Sequence, residues 1–380
     1  MGSAEEVCTS SHQKLRVPCE QPPFTLSMLR KAIPAHCFQR SLLRSSSYAL
    51  FDISVCCTLF YVAETCIPFL PIPLNYVAWP FYWLIMGEFM TALWVIGHEC
   101  GHNAFSEYQW VDNLVGLVVH SALLFPFFSF KYTHGRHHSN NGSLSQDEVF
   151  LPRLKNSVPW YFKHLDNPAG RVIRIVCLLV FTLPSYLLFN TFGRKYDGFA
   201  NHFNPYSPKF TDRERLQVVV SDAGIFTALY VYYRVSKAYG FAWFSCTYLA
   251  PLFIMFVLVT AGMYLQHTHP TLPHYDDSEW EWLRGVFCTV DLDFGYWVNK
   301  ITHNSANTHT CHHLFPTLPH YHAIEATEAI KPILGDYYQV DSTPPLMMLY
   351  RAIKECVYAD QDQDSKGKGV YWYRPHKHEI

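Results

Sequence analysis

The run Tyr76–His102, YVAWPFYWLIMGEFMTALWVIGHECGH, is apolar over its first 22 residues, broken only by Glu88, and ends on His98-Glu99-Cys100-Gly101-His102. Its apolar part is long enough to cross a bilayer as a helix. Two histidines four residues apart then lie on one face at its end. A bilayer-crossing helix that delivers imidazoles to one side of a membrane sets the frame for the rest of the chain.

Other segments follow the same rule. Phe241–Leu265 carries no charge and is the clearest span. Ser47–Phe69 is apolar apart from Asp52 and Glu64, acids that are costly in lipid and are expected to face other helices. Leu216–Tyr233 contains Asp222, and with Phe241–Leu265 it forms a hairpin. Leu114–Phe130 is short for a span. Ile175–Gly193 has basic residues at both ends and contains Pro184, so it is expected to lie in the interface. The fold class is therefore an all-α integral membrane protein with about four transmembrane helices, interfacial helices and a cytosolic cap.

Pro68–Asn75, between the first two spans, has no Lys or Arg, whereas Lys14, Arg16, Arg30, Lys31, Arg40 and Arg44 precede the first. The basic side reads as cytosolic. Three regions follow: a cytosolic N-terminal segment 1–46, a membrane-bound body 47–358, and a cytosolic tail 359–380, polar and expected to be loose. No secretory signal is visible. Charged residues are 16% of the chain, aromatics 17%, and the net charge is −2. That balance suits a body meeting lipid and excludes a nucleic-acid binder. The 12 cysteines include no CxxC pair and read mostly as small buried residues.

Two more histidine clusters exist, His134-Gly-Arg-His137-His138 and His309-Thr-Cys-His312-His313. Each can aim its rings at one point. In the four-span topology all three clusters reach the cytosolic side. Their eight imidazoles exceed the ligand number of one metal, since zinc takes four, and two metals fit. Imidazole suits iron, zinc and copper alike. A redox-capable pair beside lipid argues for oxygen chemistry on a C–H bond. His267 and His303 are candidate extra ligands. His269, at the same span end as His267, is a further candidate, whereas His274, His320 and His322 read as loop or outer residues. His12, His36, His120, His164, His202, His376 and His378 read as ordinary core or surface histidines. Glu99, Asp291 and Asp293 are candidates to accept the second N–H of ligating rings.

Two other classes compete. His98-Glu99-Cys100-Gly101-His102 matches the HExxH of zinc peptidases, with Glu99 as general base. That reading leaves both HxxHH clusters idle. A membrane haem or metal-transport protein would instead place its histidines within the bilayer.

From about Pro22 to Tyr373 the chain resembles the plant microsomal Δ12 oleate desaturases. The likeness rests on HECGH with AFSEYQW, the second cluster with DEVFLP, LQHTHPTLPHY, EWEWLRG and HHLFPTLPHYHAIEATEAIKPILGDYY. It implies an endoplasmic-reticulum enzyme with two non-haem irons held by the three boxes. It implies O₂ as oxidant, a phosphatidylcholine-bound C18 acyl chain as substrate, and electrons from cytochrome b5 and its NADH-dependent reductase. No HPGG motif of a fused cytochrome b5 domain is present. Association with itself or with other desaturases stays open. Near the boxes the chain departs from the usual pattern at Gly97, Asn103, Gly135, Leu292 and Asn307. Together these favour a divergent acetylenase or conjugase acting on linoleate, with an ordinary Δ12 oleate desaturase as the alternative. Gly97 and Asn103 are expected to help set the reaction outcome without binding metal, and Glu99 is counted with them as a catalytic candidate.

Overall fold

The computed structural model describes residues 16–361 and 369–375. His12, His376 and His378, with Lys14, lie outside them.

Among the described residues, five helices are long and apolar enough to cross a membrane: Leu42–Phe69, Ile72–Gly101, Pro168–Phe189, Arg215–Tyr239 and Phe241–His267. Side-chain caps start two of them. The Ser41 hydroxyl accepts the Arg44 N–H, and the Asn167 side chain accepts the Gly170 N–H with Pro168 in the first turn. Four of the five correspond to expected spans. The fifth, Pro168–Phe189, covers residues 175–189 of the Ile175–Gly193 stretch assigned to the interface. It continues through Pro184, and its N-terminal half packs through Ile175, Leu178 and Leu179 on Met348 and Leu349. It thus touches both the helical body and the cap.

Ile72–Gly101 and Phe241–His267 form the centre, with Met86, Met90, Met255 and Val259 in one core. A π turn at Ser245–Leu249 interrupts the latter. Tyr82 Oη and Trp83 Nε1 donate to the carbonyls of Thr247 and Cys246 at 2.7 and 2.8 Å, covering polar backbone that the break exposes. The acids of the first span are partnered, as bilayer cost requires. Asp52 accepts from His303 at 2.7 Å, and Glu64 from Trp243 at 2.6 Å.

The segment between the first two boxes folds as Gln109–Ala122 and Phe127–Asn140, bent by 109°. The second helix carries the second box back under the end of Ile72–Gly101. Helices His309–Leu314, His320–Leu334 and Pro345–Glu355 make the cap. The class is predominantly helical, but the cap also contains strands. Pro273–Tyr275, Val370–Arg374 and Tyr358–Gln361 form an antiparallel sheet in the spatial order just given, and Asp291–Leu292 pairs with Val340–Asp341 in parallel. The tail expected to be loose is therefore tied down at 370–374. Val370, Trp372 and Tyr373 bury their side chains there, enough apolar surface to order a short polar-flanked segment.

Candidate metal centre and active site

Nine imidazoles converge in two groups. His98, His102, His134, His138 and His312 place their ligand nitrogens within 4.8 Å of one another. His137, His267 and His313 form the second group, and His309 joins it, its Nε2 lying 3.0 Å from that of His267 and 3.2 Å from that of His313. The first box supplies only the first group, and the second and third boxes supply both. The second box sends His134 and His138 to one and His137 to the other, because the adjacent residues 137 and 138 point about 100° apart around the helix. The third box sends His312 to the first group and His309 and His313 to the second. His267 ends the Phe241–His267 helix and reaches the second group.

This arrangement fits metal better than it fits hydrogen bonding. Nε2 approaches Nε2 at 2.7 Å for His98 and His134, and at 3.1 Å for His134 and His138. A neutral imidazole has one donor nitrogen, so a closed set of Nε2 atoms facing each other cannot all be satisfied. His312 Nε2 is buried with no hydrogen-bond partner. Burial pushes the His312 ring down to about 3, and burial with neighbouring rings pushes His309 and His313 well below the ordinary value. These rings stay neutral, the form that binds a metal. The donor set is all nitrogen and suits iron, zinc or copper.

Carboxylates orient the rings. Asp147 Oδ1 lies 2.7 Å from His137 Nδ1. That contact puts the proton on Nδ1 and leaves the Nε2 lone pair facing the group. Sequence reasoning missed Asp147; its signal is its place in DEVFLP, ten residues beyond His137. Glu99 is turned to the back of the rings. Its Oε1 lies 3.5 Å from His98 Nδ1 and 4.0 Å from His312 Nδ1, and its Oε2 accepts the His320 N–H at 3.1 Å. A peptidase general base faces the metal-bound water instead. Asp291 and Asp293 do not take the ring contacts expected of them. Asp291 accepts from the Thr310 N–H, the Thr310 hydroxyl and the Tyr338 hydroxyl, and so fixes the start of the third-box helix. Asp293 accepts from Asn299 and the Gly295 N–H.

Three other expected site residues lie elsewhere. His303 Nε2 is bound to Asp52, and its ring packs beside Tyr48 and His320; it borders the cavity at the histidines without joining either group. Asn103 sits at φ +56°, a left-handed position that Asn tolerates. Its Oδ1 accepts from Lys131 and its carbonyl from Arg40, which directs it away from the rings. Gly97 faces His120, where a β-carbon would lie 2.2 Å from the ring. His269 bonds Thr271, and His322 and His36 share Glu325 on the surface. His202, read as ordinary, is fully buried beside Thr133 under the second box, whereas His164 is exposed.

A cavity of about 70 Å³ adjoins the histidines, with Trp94, Val95, Met263, Phe315 and Leu318 as its apolar wall. Metal-ready nitrogens thus face a hydrocarbon-lined space at the end of membrane-length helices. The model of the fatty acid desaturase family matches residues 76–344. The chain belongs to that family. The desaturase is 56% identical over 94% of its length to the Delta(12)-acyl-lipid-desaturase of Punica granatum, covering 92% of that protein. It is 55% identical to the bifunctional desaturase/conjugase FADX of Vernicia fordii, over 94% of this chain and 92% of that one. It is also 55% identical to the Delta(12)-fatty-acid desaturase of Arabidopsis thaliana, over 94% and 93% respectively. The desaturase is thus a membrane enzyme of oxidoreductase type, as its helices and family agree.

Proposed function

We propose that the desaturase uses two irons and O₂ to oxidise the carbon-12 region of a C18 acyl chain carried on phosphatidylcholine. The observation that carries this reading is the pair of imidazole groups beside an apolar cavity. His98, His102, His134, His138 and His312 would hold one iron, and His137, His267, His309 and His313 the other. Bound there, the irons would supply the oxidising power that an unactivated C–H bond requires. The chain's own residues do the positioning. Trp94, Val95 and Met263 hold methylenes against the metal side and exclude water. Asp147 fixes the tautomer of His137, and Glu99 ties the first and third boxes to His320. Electrons come from a separate cytochrome b5 and its NADH-dependent reductase. The protein resides in the endoplasmic-reticulum membrane with its termini and boxes cytosolic, a reading supported by the basic N-terminal segment and the uncharged Pro68–Asn75 turn.

The product reading leans to an acetylenase or conjugase acting on linoleate, supported by Gly97, whose missing β-carbon admits the His120 ring beside Trp94. An ordinary Δ12 oleate desaturase is the second reading, favoured by relatives of that name at the same identity as FADX. Expression in yeast, with and without linoleate, followed by gas chromatography of the fatty acids, tests both. A triple-bonded or conjugated product appearing only with linoleate supports the first. Linoleate made from oleate with nothing further supports the second, and no modified acyl chain in an iron-loaded preparation rejects both.

A further inference from the structure

Away from the histidines the desaturase has a larger cavity, about 380 Å³, between the Pro168–Phe189 helix and the cap. Its floor is hydrocarbon, including Leu178, Phe181, Ile353 and Val357. Two cations line it as well, Arg153 and Arg174. Both guanidiniums lie over the one ring of Phe162, at 4.9 and 4.5 Å from its centre. Arg174 Nη1 is buried with no hydrogen-bond partner. The acid nearest Arg174 in sequence, Asp166, is already bound by Arg171 at 2.7 and 3.0 Å, and the one nearest Arg153, Glu148, is bound by Arg136 at 3.0 Å. Among the described residues, no carboxylate lies within ion-pair distance of Arg153 or Arg174. Two like charges held together on an aromatic ring in an apolar wall are costly unless an anion completes the site.

A second cavity stands between it and the histidines. This narrow apolar cavity shares Phe150, Thr182 and Phe192 with the larger one, and shares Met263 with the space at the histidines. Phe150 stands at the junction. Its ring stacks on the metal-side His267 at 5.3 Å, and its backbone holds φ +60°, an uncommon and strained value for a bulky residue. Tyr161 of the cavity lining and the neighbouring Trp160 are exposed, as aromatic side chains are at the headgroup level of a bilayer.

We propose that this cavity seats the phosphodiester end of a glycerophospholipid, with Arg153 and Arg174 on the phosphate and the acyl chain running past Phe150 toward the histidines. This rests on the reading of the histidine centre as one that oxidises a lipid-borne acyl chain. A guanidinium offers a planar donor fork that matches phosphate oxygens, and two of them flanking a ring match an anion better than a neutral glyceride. The apolar floor takes the first methylenes.

Cys177 lines the same cavity and serves as a natural reporter. Purified iron-loaded protein in mixed micelles would be treated with a maleimide in the presence of dioleoyl-phosphatidylcholine or dioleoylglycerol, and each cysteine mapped by mass spectrometry. Cys57 and Cys66, both exposed on the first span, are the controls. Phosphatidylcholine is expected to slow labelling of Cys177 alone, with dioleoylglycerol about tenfold less effective, the loss of one charge-assisted contact. In Arg153→Gln/Arg174→Gln that preference disappears while bound iron is unchanged. Equal protection by the two lipids, or protection by neither, in the wild-type protein overturns the proposal even if the double variant fails to fold. Iron content and yeast product separate this failure from failure of the acyl-oxidation reading: an active, iron-loaded enzyme with unprotected Cys177 rejects the phosphate site only.

Discussion

The ring of His120 fills the space that a β-carbon on Gly97 would occupy, 2.2 Å from its Cδ2. His120 donates through Nε2 to the Trp94 carbonyl at 3.0 Å and stacks on the Trp94 ring, which in turn stacks on His98. Gly97 therefore sets the position of Trp94, a wall of the metal-side cavity, without itself facing the metals. Gly97→Ala forces His120 and Trp94 to shift, at about 1–3 kcal/mol of overpacking. The expected result is a changed product ratio from yeast fed linoleate, with iron retained. Adding His120→Ala relieves the overlap and recovers stability in a melting assay. An unchanged product ratio in Gly97→Ala would show that the slot has no bearing on the reaction.

Asn103 is anchored on Lys131. Asn103→His alone is expected to leave the product ratio and bound iron unchanged, since His also accepts the left-handed position. A product change from this single substitution would show that the residue reaches the substrate.

Asp147→Asn keeps the size of the side chain and removes the charge on His137. Metal affinity should fall by about 10–100-fold, as for other outer carboxylates. Competition with a chelator of known affinity measures it. An unaltered chelator midpoint would contradict the role given to Asp147.

His267 and His303 differ in expectation despite their similar sequence standing. His267→Ala should lower iron content and abolish activity. His303→Ala leaves the buried Asp52 unpaired, so it should cost stability, about 3–5 kcal/mol, with iron still bound to the folded fraction. Metal analysis of the monodisperse fraction decides; iron lost from His303→Ala and kept by His267→Ala would reverse the assignment.

Acid sensitivity has a source outside the metal centre. His274, on the first strand of the cap sheet, is buried edge-on to Tyr373, and burial lowers its ring from 6.5 to about 3. The unfolded ring takes a proton below 6.5, and the folded one only near 3. Between those values protons favour the unfolded chain, so stability is lost as pH falls through that window, by up to about 1.4 kcal/mol per pH unit. His274→Phe should flatten this slope between pH 6 and 4 relative to wild type in denaturation curves (about one proton's worth). An equal slope would remove His274 from the balance.

Four of the five membrane-length helices and the three boxes were legible because bilayer length and i, i+3, i+4 spacing are local properties. His267 was legible for the same reason, since it ends an uncharged span. The rest depended on contacts far apart in the chain. His303 and Asp52 are 251 residues apart, and only the fold shows that this acid claims the ring. The His120 slot at Gly97 arises from the bent Gln109–Ala122 helix crossing back, which no periodicity announces. The tail strand Val370–Arg374 was hidden by its polar flanks, although its alternating Val370 and Trp372 carried the signal.

The most direct test of the central claim is the metal count of active, purified protein, with iron and zinc measured against protein mass by plasma mass spectrometry. Two imidazole groups predict about two irons per chain, falling together with activity on chelation. An active preparation holding one metal per chain, or zinc with no iron, would contradict the account.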